Sequence, residues 1–424
     1  MSGRLWDRVN PWRGLAGMPR EIWVLSSATL VNKAGSMVLA FLVIYLTRDL
    51  GLSAGTAGFV IALYGAGALV AAPISGRLCD RLGPIRIMRA SLILSGTVML
   101  LYPFARSLGL VIAATVALAL TAESFRPANM AIFGDLVEPA RRKTAFSLNR
   151  LAINLGMSIG PALGGFLATV SFRWLFAVDG LTSLAAGAIL MAARFPVHRH
   201  SQDSLEIERA VAAKPRASVS AFHDRRLLTF LLAGLFPVAL VFFQHISSMP
   251  LFLVRDLKLS PAAYGLLFTV NTLLIVLLEV PLNMATSHWP HRRGLALGAL
   301  LCAVGFGALG AAWNIWSVAA TVVIWTFGEM FFFPGMAAYL TDIAPSRQRG
   351  EYMGLSQMIM GLAFTIGPWA GTALLAHAGG RALWGVAFLV GLFAAISISR
   401  LEEPRHIVEP VAVPRPTTAP STEP

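Results

Sequence analysis

The stretch Leu46-Thr-Arg-Asp-Leu-Gly-Leu-Ser53 returns later in the chain as Leu253-Val-Arg-Asp-Leu-Lys-Leu-Ser260. The two octets are 207 residues apart, and the same offset aligns further positions without a gap over more than a hundred residues. A match that stays in register over this length predicts two halves with one shared fold. Further matched pairs are Gly58 and Gly265, Pro127 and Pro334, Asp135 and Asp342, and Ile159-Gly160-Pro161 and Ile366-Gly367-Pro368.

The composition is that of a membrane protein. Of the 424 residues, 56% are hydrophobic and 13% are charged, whereas soluble proteins average roughly 25% charged residues. A helix that crosses a bilayer needs about 20 mostly apolar residues. The sequence predicts twelve such spans, numbered 1 to 12 from the N-terminus: 22–47, 55–78, 85–105, 108–134, 144–170, 173–194, 227–253, 262–286, 294–312, 315–340, 351–376 and 380–400.

The basic residues alternate between the two ends of these spans. The net charge of +13 would favour a nucleic-acid partner in a soluble protein. However, 26 of the 34 Lys and Arg residues lie in the chain ends, in every second connection, or in the parts of the spans next to them. Because basic loops stay in the cytoplasm, both termini are expected inside, and no feature remains to support nucleic-acid binding. The alternate connections hold only Arg48, Arg106, Arg173, Arg255, Lys258 and Arg381.

The repeat and the loop charges together predict the architecture. The offset preserves the side on which each loop lies, so the repeat is a parallel one. We expect an all-α membrane protein of twelve transmembrane helices in two six-helix halves. Its expected parts are a cytoplasmic N-terminal segment (1–20), a six-helix bundle (21–194), a cytoplasmic linker (195–225), a second bundle (226–400) and a disordered tail (401–424). The linker is either a simple tether or carries a short surface helix around Leu205 to Ala213.

The turn between spans 2 and 3 carries a specific motif. The segment Gly76-Arg-Leu-Cys-Asp-Arg-Leu-Gly-Pro-Ile-Arg86 resembles motif A of the major facilitator superfamily, through Gly76, Asp80, Arg81, Gly83 and Arg86. The segment departs from the family pattern at Pro84, where a basic residue is more usual. The resemblance implies that these residues form a conformational latch, in which Asp80 faces the N-terminal end of span 11. Negative charge is favoured at a helix N-terminus, so Asp80 would favour the outward-open state. The alternative is that these charges only set topology.

Span 5 carries a second motif, formed by Gly156, Gly160, Pro161, Gly164 and Gly165. It resembles motif C of the same superfamily, which implies proton-coupled antiport, especially drug export, by a twelve-helix transporter. The alternative interpretation is a helix-packing face, because small residues let helices approach closely. Span 11 repeats Gly367, Pro368 and Gly371, so packing explains part of the pattern.

Ionisable side chains inside the spans are costly in a bilayer, so each is a functional candidate. The resemblance implies that spans 1, 4, 7 and 10 line a central cavity, flanked by spans 2, 5, 8 and 11. The candidates on the lining spans are Lys33, Glu123, Arg126, His245 and Glu329, and those on the flanking spans are Tyr64, Asn149, Asn154, Asn271 and Glu279. In span 6, Asp179 is predicted to be an interfacial or structural charge.

Proton antiport requires a carboxylate that changes protonation during the cycle. Glu123 and Arg126 are three residues apart, which suits either a locked ion pair or a proton site whose partner is released. Glu329 and Glu279 have no such cation three residues away on their own helices and are the better proton-coupling candidates. His245 is either a titrating group or a hydrogen-bonded core residue. Phe332, beside Phe331 and Phe333, is either a packing residue or part of an aromatic wall for a lipophilic substrate.

The leading prediction is an exporter of drug-like or amphipathic molecules that uses proton antiport and alternating access. One alternative is an exporter of a single physiological solute such as a sugar, amino acid, siderophore or lipid, and another is a non-transporting sensor or scaffold. We find no catalytic or metal-ligand pattern, and expect no enzyme activity and no cofactor beyond the proton gradient. The expected partners are a small-molecule substrate, protons and membrane lipids, for a monomer in the inner membrane.

Overall fold

The computed structural model describes residues 17–137, 139–195, 223–286, 288–345 and 348–401. Most of the predicted N-terminal segment, the predicted helix near Leu205 to Ala213 and the predicted disordered tail lie outside the described residues. Within the described ranges, all regular structure is helical.

The first six spans follow the predicted order. Their helices are Arg20–Gly35 with Val38–Arg48 (span 1), Ala54–Leu82 (span 2), Pro84–Leu101 (span 3), Leu108–Ala122 with Phe125–Leu136 (span 4), Pro139–Val170 (span 5) and Phe172–Ala192 (span 6). Ser53 and Ser107 accept backbone N–H groups at the starts of spans 2 and 4, and so satisfy donors that the helix itself leaves free.

The second six spans repeat this order. Span 7 covers Arg225–Asp256, span 8 is Pro261–Ala285, span 9 is His291–Ala308 and span 10 is Ile315–Ile343. The last helical segment, Arg349–Ser399, contains Gly379 at φ 81°, a conformation outside the helical region. This residue divides the segment into spans 11 (349–378) and 12 (380–399), so the described residues hold eleven apolar segments and twelve crossings.

Three spans are interrupted near their middle. Span 1 breaks at Ser36 and Met37, and span 7 contains 3₁₀ and π turns. Span 4 breaks at Glu123 and Ser124, because Pro127 has no N–H for the Glu123 carbonyl. The Ser75 hydroxyl of span 2 donates to the Ser124 carbonyl at 3.0 Å and so satisfies one acceptor at the break.

The two halves contact each other through spans 2 and 11 and through spans 5 and 8. Gly58 lies against Pro368, and its repeat counterpart Gly265 lies against Pro161. A Cβ atom at Gly265 would collide with the Pro161 carbonyl oxygen, and one at Gly58 with the Thr372 hydroxyl. The Pro161 oxygen belongs to the backbone and cannot rotate away, so glycine is required at Gly265, whereas at Gly58 the Thr372 side chain would have to turn.

The apolar core differs between the two ends of the molecule. We call the end that carries residues 18–22, 84, 193 and 401 the terminal end, and the end that carries the loops at 49–53 and 257–260 the far end. At the far end, one cluster of buried residues draws on both halves, and Phe41 packs edge-on against Tyr264 at 5.3 Å between ring centroids. At the terminal end, the described buried residues form two clusters, each from one half alone. The halves are thus joined at the far end and have separate cores at the terminal end.

Candidate functional site

A carboxylate in the first half is hydrogen-bonded by a neutral donor from a neighbouring span. The Tyr64 hydroxyl of span 2 donates to Glu123 Oε1 at 2.7 Å. Glu123 lies at the break in span 4, midway between the ends of that span, and its side chain is half-buried. At a rise of about 1.5 Å per residue, this places Glu123 roughly 20 Å from either end of the span, near the centre of the membrane.

The second half contains an equivalent arrangement. Asn271 Nδ2 of span 8 donates to Glu329 Oε2 and to the Thr326 hydroxyl, each at 3.0 Å. Asn271 is 5% exposed, and Glu329 is half-buried at the middle of span 10. Tyr64 and Asn271 are 207 residues apart, so the two donors occupy equivalent positions of the repeat. The repeat in the sequence is the signal that relates the two pairs.

The first half also presents two cations near Glu123. Lys33, half-buried in span 1, interacts electrostatically with Glu123, Asp179 and Arg126. Arg126 is exposed and lies in the first turn of the helix Phe125–Leu136, which packs against the Lys33 helix. The locked ion pair between Glu123 and Arg126 is not present, because the break at residues 123 and 124 removes the helical spacing that would bring them together. Among the described residues, neither the Lys33 ammonium nor the Arg126 guanidinium has a hydrogen bond or ion pair.

Asp179 has a structural role, as the sequence predicted. Its Oδ2 atom accepts the backbone N–H groups of Met37 at 3.0 Å and Val38 at 2.9 Å. These groups begin the second helix of span 1, and a carboxylate is favoured there by hydrogen bonding and by the helix dipole. Span 6 thereby caps a helix of span 1 and fixes the break that follows Lys33.

Glu279 is not an isolated carboxylate, contrary to the expectation from sequence. It forms an ion pair and hydrogen bond with Arg150 of span 5, a residue of the other half. Arg150 is 64% exposed, and Glu279 is 14% exposed. The two residues lie on the terminal side of the contact between Pro161 and Gly265, so this pair links the halves where their cores are separate.

An aromatic row connects the two carboxylate pairs. The row consists of Tyr64, Phe364, Phe243, Phe242 and Phe333, with successive ring centroids 6.1, 4.9, 5.7 and 4.9 Å apart. It starts at the residue that binds Glu123, and it ends four residues after Glu329, on the same face of span 10. The four phenylalanines are half-buried.

Of the two alternatives for Phe332, the structure shows the packing contacts. Phe332 is fully buried, and its backbone and Cβ atoms pack against Gly298 of span 9. Phe333 instead joins the aromatic row. Phe331 stacks on Trp289, with ring centroids 5.9 Å apart. The run of three phenylalanines gave no signal of which ring faces inward, because span 10 is apolar on all sides.

Of the remaining polar candidates, His245 belongs to the core. Its Nδ1 lies 2.6 Å from the Phe242 carbonyl, so this nitrogen carries the hydrogen. The ring lies between Phe242, Phe268 and Trp325. Asn154 is half-buried on span 5 and has no hydrogen bond from its side chain among the described residues.

The two motifs have different structural settings. In the motif A segment, span 2 ends at Leu82 and Pro84 begins span 3, so Gly83, at φ 87°, makes the entire turn. The Asp80 side chain lies outside the described part of the structure, and its latch role remains a prediction. Gly76, Arg81 and Arg86 lie on the helices that flank the turn.

The glycines of the motif C segment face other helices. A Cβ atom at Gly156 would lie 2.6 Å from Lys33 Cβ, one at Gly160 would lie 3.1 Å from the Lys33 carbonyl oxygen, and one at Gly164 would lie 2.7 Å from Met37 Cβ. Gly165 similarly faces Ala262 of span 8. These contacts give the segment a packing role, and they position the span 1 backbone around Lys33.

Comparisons with known proteins identify the family. The model of the Major Facilitator Superfamily matches residues 25–258 and 239–422. The uncharacterized MFS-type transporter YqjV of Bacillus subtilis is 26% identical over 82% of this chain and 85% of its own length. A Na(+), Li(+), K(+)/H(+) antiporter of Planococcus maritimus is 23% identical over 80% and 84% of the two chains. The multidrug resistance protein MdtH of Salmonella typhimurium is 25% identical over 68% and 71%.

Solved structures share the fold at low sequence identity. A peptide transporter POT in complex with sulfate superimposes with a TM-score of 0.73 and 18% identity, over 95% of this chain and all of that one. The xylose transporter XylE from E. coli gives 0.71 and 14%, over 91% and 97%. The protein therefore belongs to the Major Facilitator Superfamily and is a multi-pass membrane transporter rather than an enzyme.

Proposed function

We propose that this transporter exports amphipathic small molecules in exchange for protons, by alternating access. The observation that carries the proposal is the pair of equivalent hydrogen bonds, from Tyr64 to Glu123 and from Asn271 to Glu329. Each half holds a carboxylate near the membrane centre against a neutral donor. Such a carboxylate can take up a proton without leaving a buried cation unpaired, whereas the members of an ion pair cannot change charge singly at low cost.

Glu329 is the principal proton carrier in this proposal. Its described hydrogen-bond donor is the uncharged Asn271, and no described cation forms an ion pair with it. Glu123 is the second carrier, because its described hydrogen-bond donor, the Tyr64 hydroxyl, is also uncharged. Glu279 is assigned instead to a link between the halves, because its partner Arg150 belongs to the other half.

The proposed transport cycle is based on the difference in packing between the two ends of the molecule. From the positive-inside rule, we place the terminal end on the cytoplasmic side of the inner membrane. With joined cores at the far end and separate cores at the terminal end, this conformation would admit a substrate from the cytoplasm. Rocking of residues 21–194 against 226–400 would then separate the far-end contacts and close the terminal end. The Arg150–Glu279 pair, which is formed in this conformation, would limit how far the terminal end opens, and the motif A turn would hold its closed state.

The aromatic row and the relatives support the proposed substrate class, amphipathic small molecules. A row of half-buried rings suits the apolar part of an amphipathic molecule. One relative is named a multidrug resistance protein and another a cation/proton antiporter. The alternative, export of one physiological solute, is favoured by the mixed charges of Lys33, Arg126, Glu123 and Glu329, because a dedicated polar ligand would use such groups. We propose a monomer, since each chain contains both halves.

The proposal is tested in cells challenged with chemically unrelated toxic amphiphiles, with expression levels matched. Wild-type protein should protect the cells, and Glu329→Gln should remove protection against every compound. Asp80→Asn should weaken protection if the motif A latch acts in the cycle. The matched control is Glu21→Gln, at the terminal end of span 1 and away from the proposed carriers. Protection that survives in Glu329→Gln cells would contradict the proposed proton carrier, and protection against one compound alone would favour the dedicated exporter.

A further inference from the structure

The charges of the two halves are distributed unequally around the aromatic row. In the first half, Lys33 and Arg126 have no described hydrogen-bond or ion-pair partner. The two carboxylates near Lys33 already have donors, since Asp179 accepts two backbone N–H groups and Glu123 accepts the Tyr64 hydroxyl. Cationic donors near the membrane centre are costly and call for an anionic partner.

The second half presents the opposite charge. Glu329 lies at the middle of span 10, bound to an amide donor, without a described cation partner. The aromatic row runs from Tyr64, whose partner Glu123 interacts electrostatically with Lys33, to Phe333, on the face of span 10 that carries Glu329. A bound molecule that spans the row would therefore meet cations at one end and a carboxylate at the other.

We propose that the substrate is an amphipathic zwitterion: its anionic group binds Lys33 and Arg126, its apolar body lies along the aromatic row, and its cationic group binds Glu329. This inference rests on the proposed function and names the substrate class of that same site. It also accounts for the direction of coupling. The cationic group of the substrate and a proton would compete for the Glu329 carboxylate, and such competition is what an antiporter requires.

The test measures binding of matched probes with permanent charges to the full-length protein in lipid nanodiscs, with empty nanodiscs as the blank. The probes are 2-naphthalenesulfonate, a naphthylmethyl trimethylammonium cation, and naphthylmethyl sulfobetaines of increasing spacer length. The wild type should bind at least one sulfobetaine about tenfold more tightly than either singly charged probe, because a hydrogen bond to a charged group contributes about that factor.

Substitutions should distinguish the residues that bind the anionic group from the residue that binds the cationic group. Lys33→Gln and Arg126→Gln should each weaken sulfobetaine and sulfonate binding about tenfold and leave the cation unaffected, with Lys33→Arg restoring most of the loss. Glu329→Gln should weaken sulfobetaine and cation binding and leave the sulfonate unaffected. The control is Arg106→Gln, at an exposed far-end pair with Asp49, and it should change nothing.

Three results would overturn the inference: no saturable sulfobetaine binding, tightest binding of the simple cation, or sulfobetaine binding that is unchanged in Lys33→Gln. Proton movement in proteoliposomes of the same preparations separates this inference from the proposed function. Cation-driven proton release without zwitterion binding would overturn the substrate class and leave antiport intact. Zwitterion binding that moves no protons would leave the site intact and contradict antiport.

Discussion

Asp179 of span 6 caps the helix that begins at Val38 of span 1, with a distance of 2.9 Å from the Val38 nitrogen to the Asp179 carboxylate. The same oxygen accepts the Met37 N–H. A helix normally takes its N-terminal cap from its own chain segment, whereas here the cap comes from a residue more than a hundred positions away. The contact makes the geometry around Lys33 depend on how spans 1 and 6 pack.

Removal of this cap should destabilise the protein. Asp179→Ala leaves two backbone N–H groups buried without an acceptor, at about 1–3 kcal/mol each. Asp179→Asn retains an oxygen acceptor, and we expect it to cost less. The buried thiols of Cys79 and Cys302 report unfolding through a thiol-reactive dye in a thermal ramp. Asp49→Ala, at an exposed pair with Arg106, is the control. Equal melting temperatures for Asp179→Ala and the control would show that the cap contributes nothing.

A methyl group at Gly265 should open the far end. Because a Cβ there would collide with the Pro161 carbonyl oxygen, Gly265→Ala should shift the population toward separated far ends by about tenfold or more, which is about 1.4 kcal/mol. The control is Gly55→Ala, where a Cβ meets nothing within 4 Å. Distances between spin labels at Ser107→Cys and Trp313→Cys, with the native cysteines replaced, measure this opening. The same distance distribution in both alanine variants would refute the steric argument.

Substitution of Arg150 or of Glu279 should have the same effect on the opening of the terminal end, because either one breaks the same ion pair. The pair is partly exposed, so breaking it should cost no more than about 1 kcal/mol of stability. Arg150→Gln and Glu279→Gln should shift the opening of the terminal end equally, and the double variant should add nothing. If Glu279 instead carries the coupled proton, Glu279→Gln alone will abolish coupling while Arg150→Gln keeps it. Spin-label distances and proton flux, measured on all three variants, decide between the two roles.

Two glycines of the motif A segment should respond differently to alanine. Gly83 has φ 87°, and a Cβ there meets nothing within 4 Å, so Gly83→Ala should cost about 1–2 kcal/mol through backbone strain alone. Gly76 lies inside the span 2 helix with open space around it, so Gly76→Ala should be neutral or stabilising by up to about 1 kcal/mol. Melting temperatures measured with the thiol-reactive dye compare the two directly. A greater loss for Gly76→Ala would contradict this assignment.

The sequence predicted the spans well for a physical reason. Segments that cross a lipid bilayer are recognised by their apolar composition. The repeat at an offset of 207 residues predicted that the two halves share one fold. Span 8, predicted at 262–286, is the helix Pro261–Ala285, and span 10, predicted at 315–340, is Ile315–Ile343. Asp179 was correctly predicted to be structural, although the helix it caps was not foreseen.

Contacts between spans were harder to predict. A helix that is apolar on all sides gives no periodic signal of which face turns inward. The sequence therefore could not tell which ring of the run 331–333 joins the aromatic row. The pairing of Arg150 with Glu279 joins residues 129 positions apart, and it depends on the relative rotation of two helices. The break at Glu123 had a visible signal in Pro127, four residues later, which could have ruled out the ion pair with Arg126.

In the proposed cycle, protons drive export through Glu329. The most direct measurement is substrate-induced proton movement in proteoliposomes that hold wild-type protein, Glu329→Gln or Glu21→Gln, together with exchange of labelled substrate at equal pH. We expect proton movement for the wild type and Glu21→Gln. In Glu329→Gln we expect no proton movement, although labelled substrate at a saturating concentration should still exchange. Proton movement that persists in Glu329→Gln would contradict the role of Glu329 as the proton carrier.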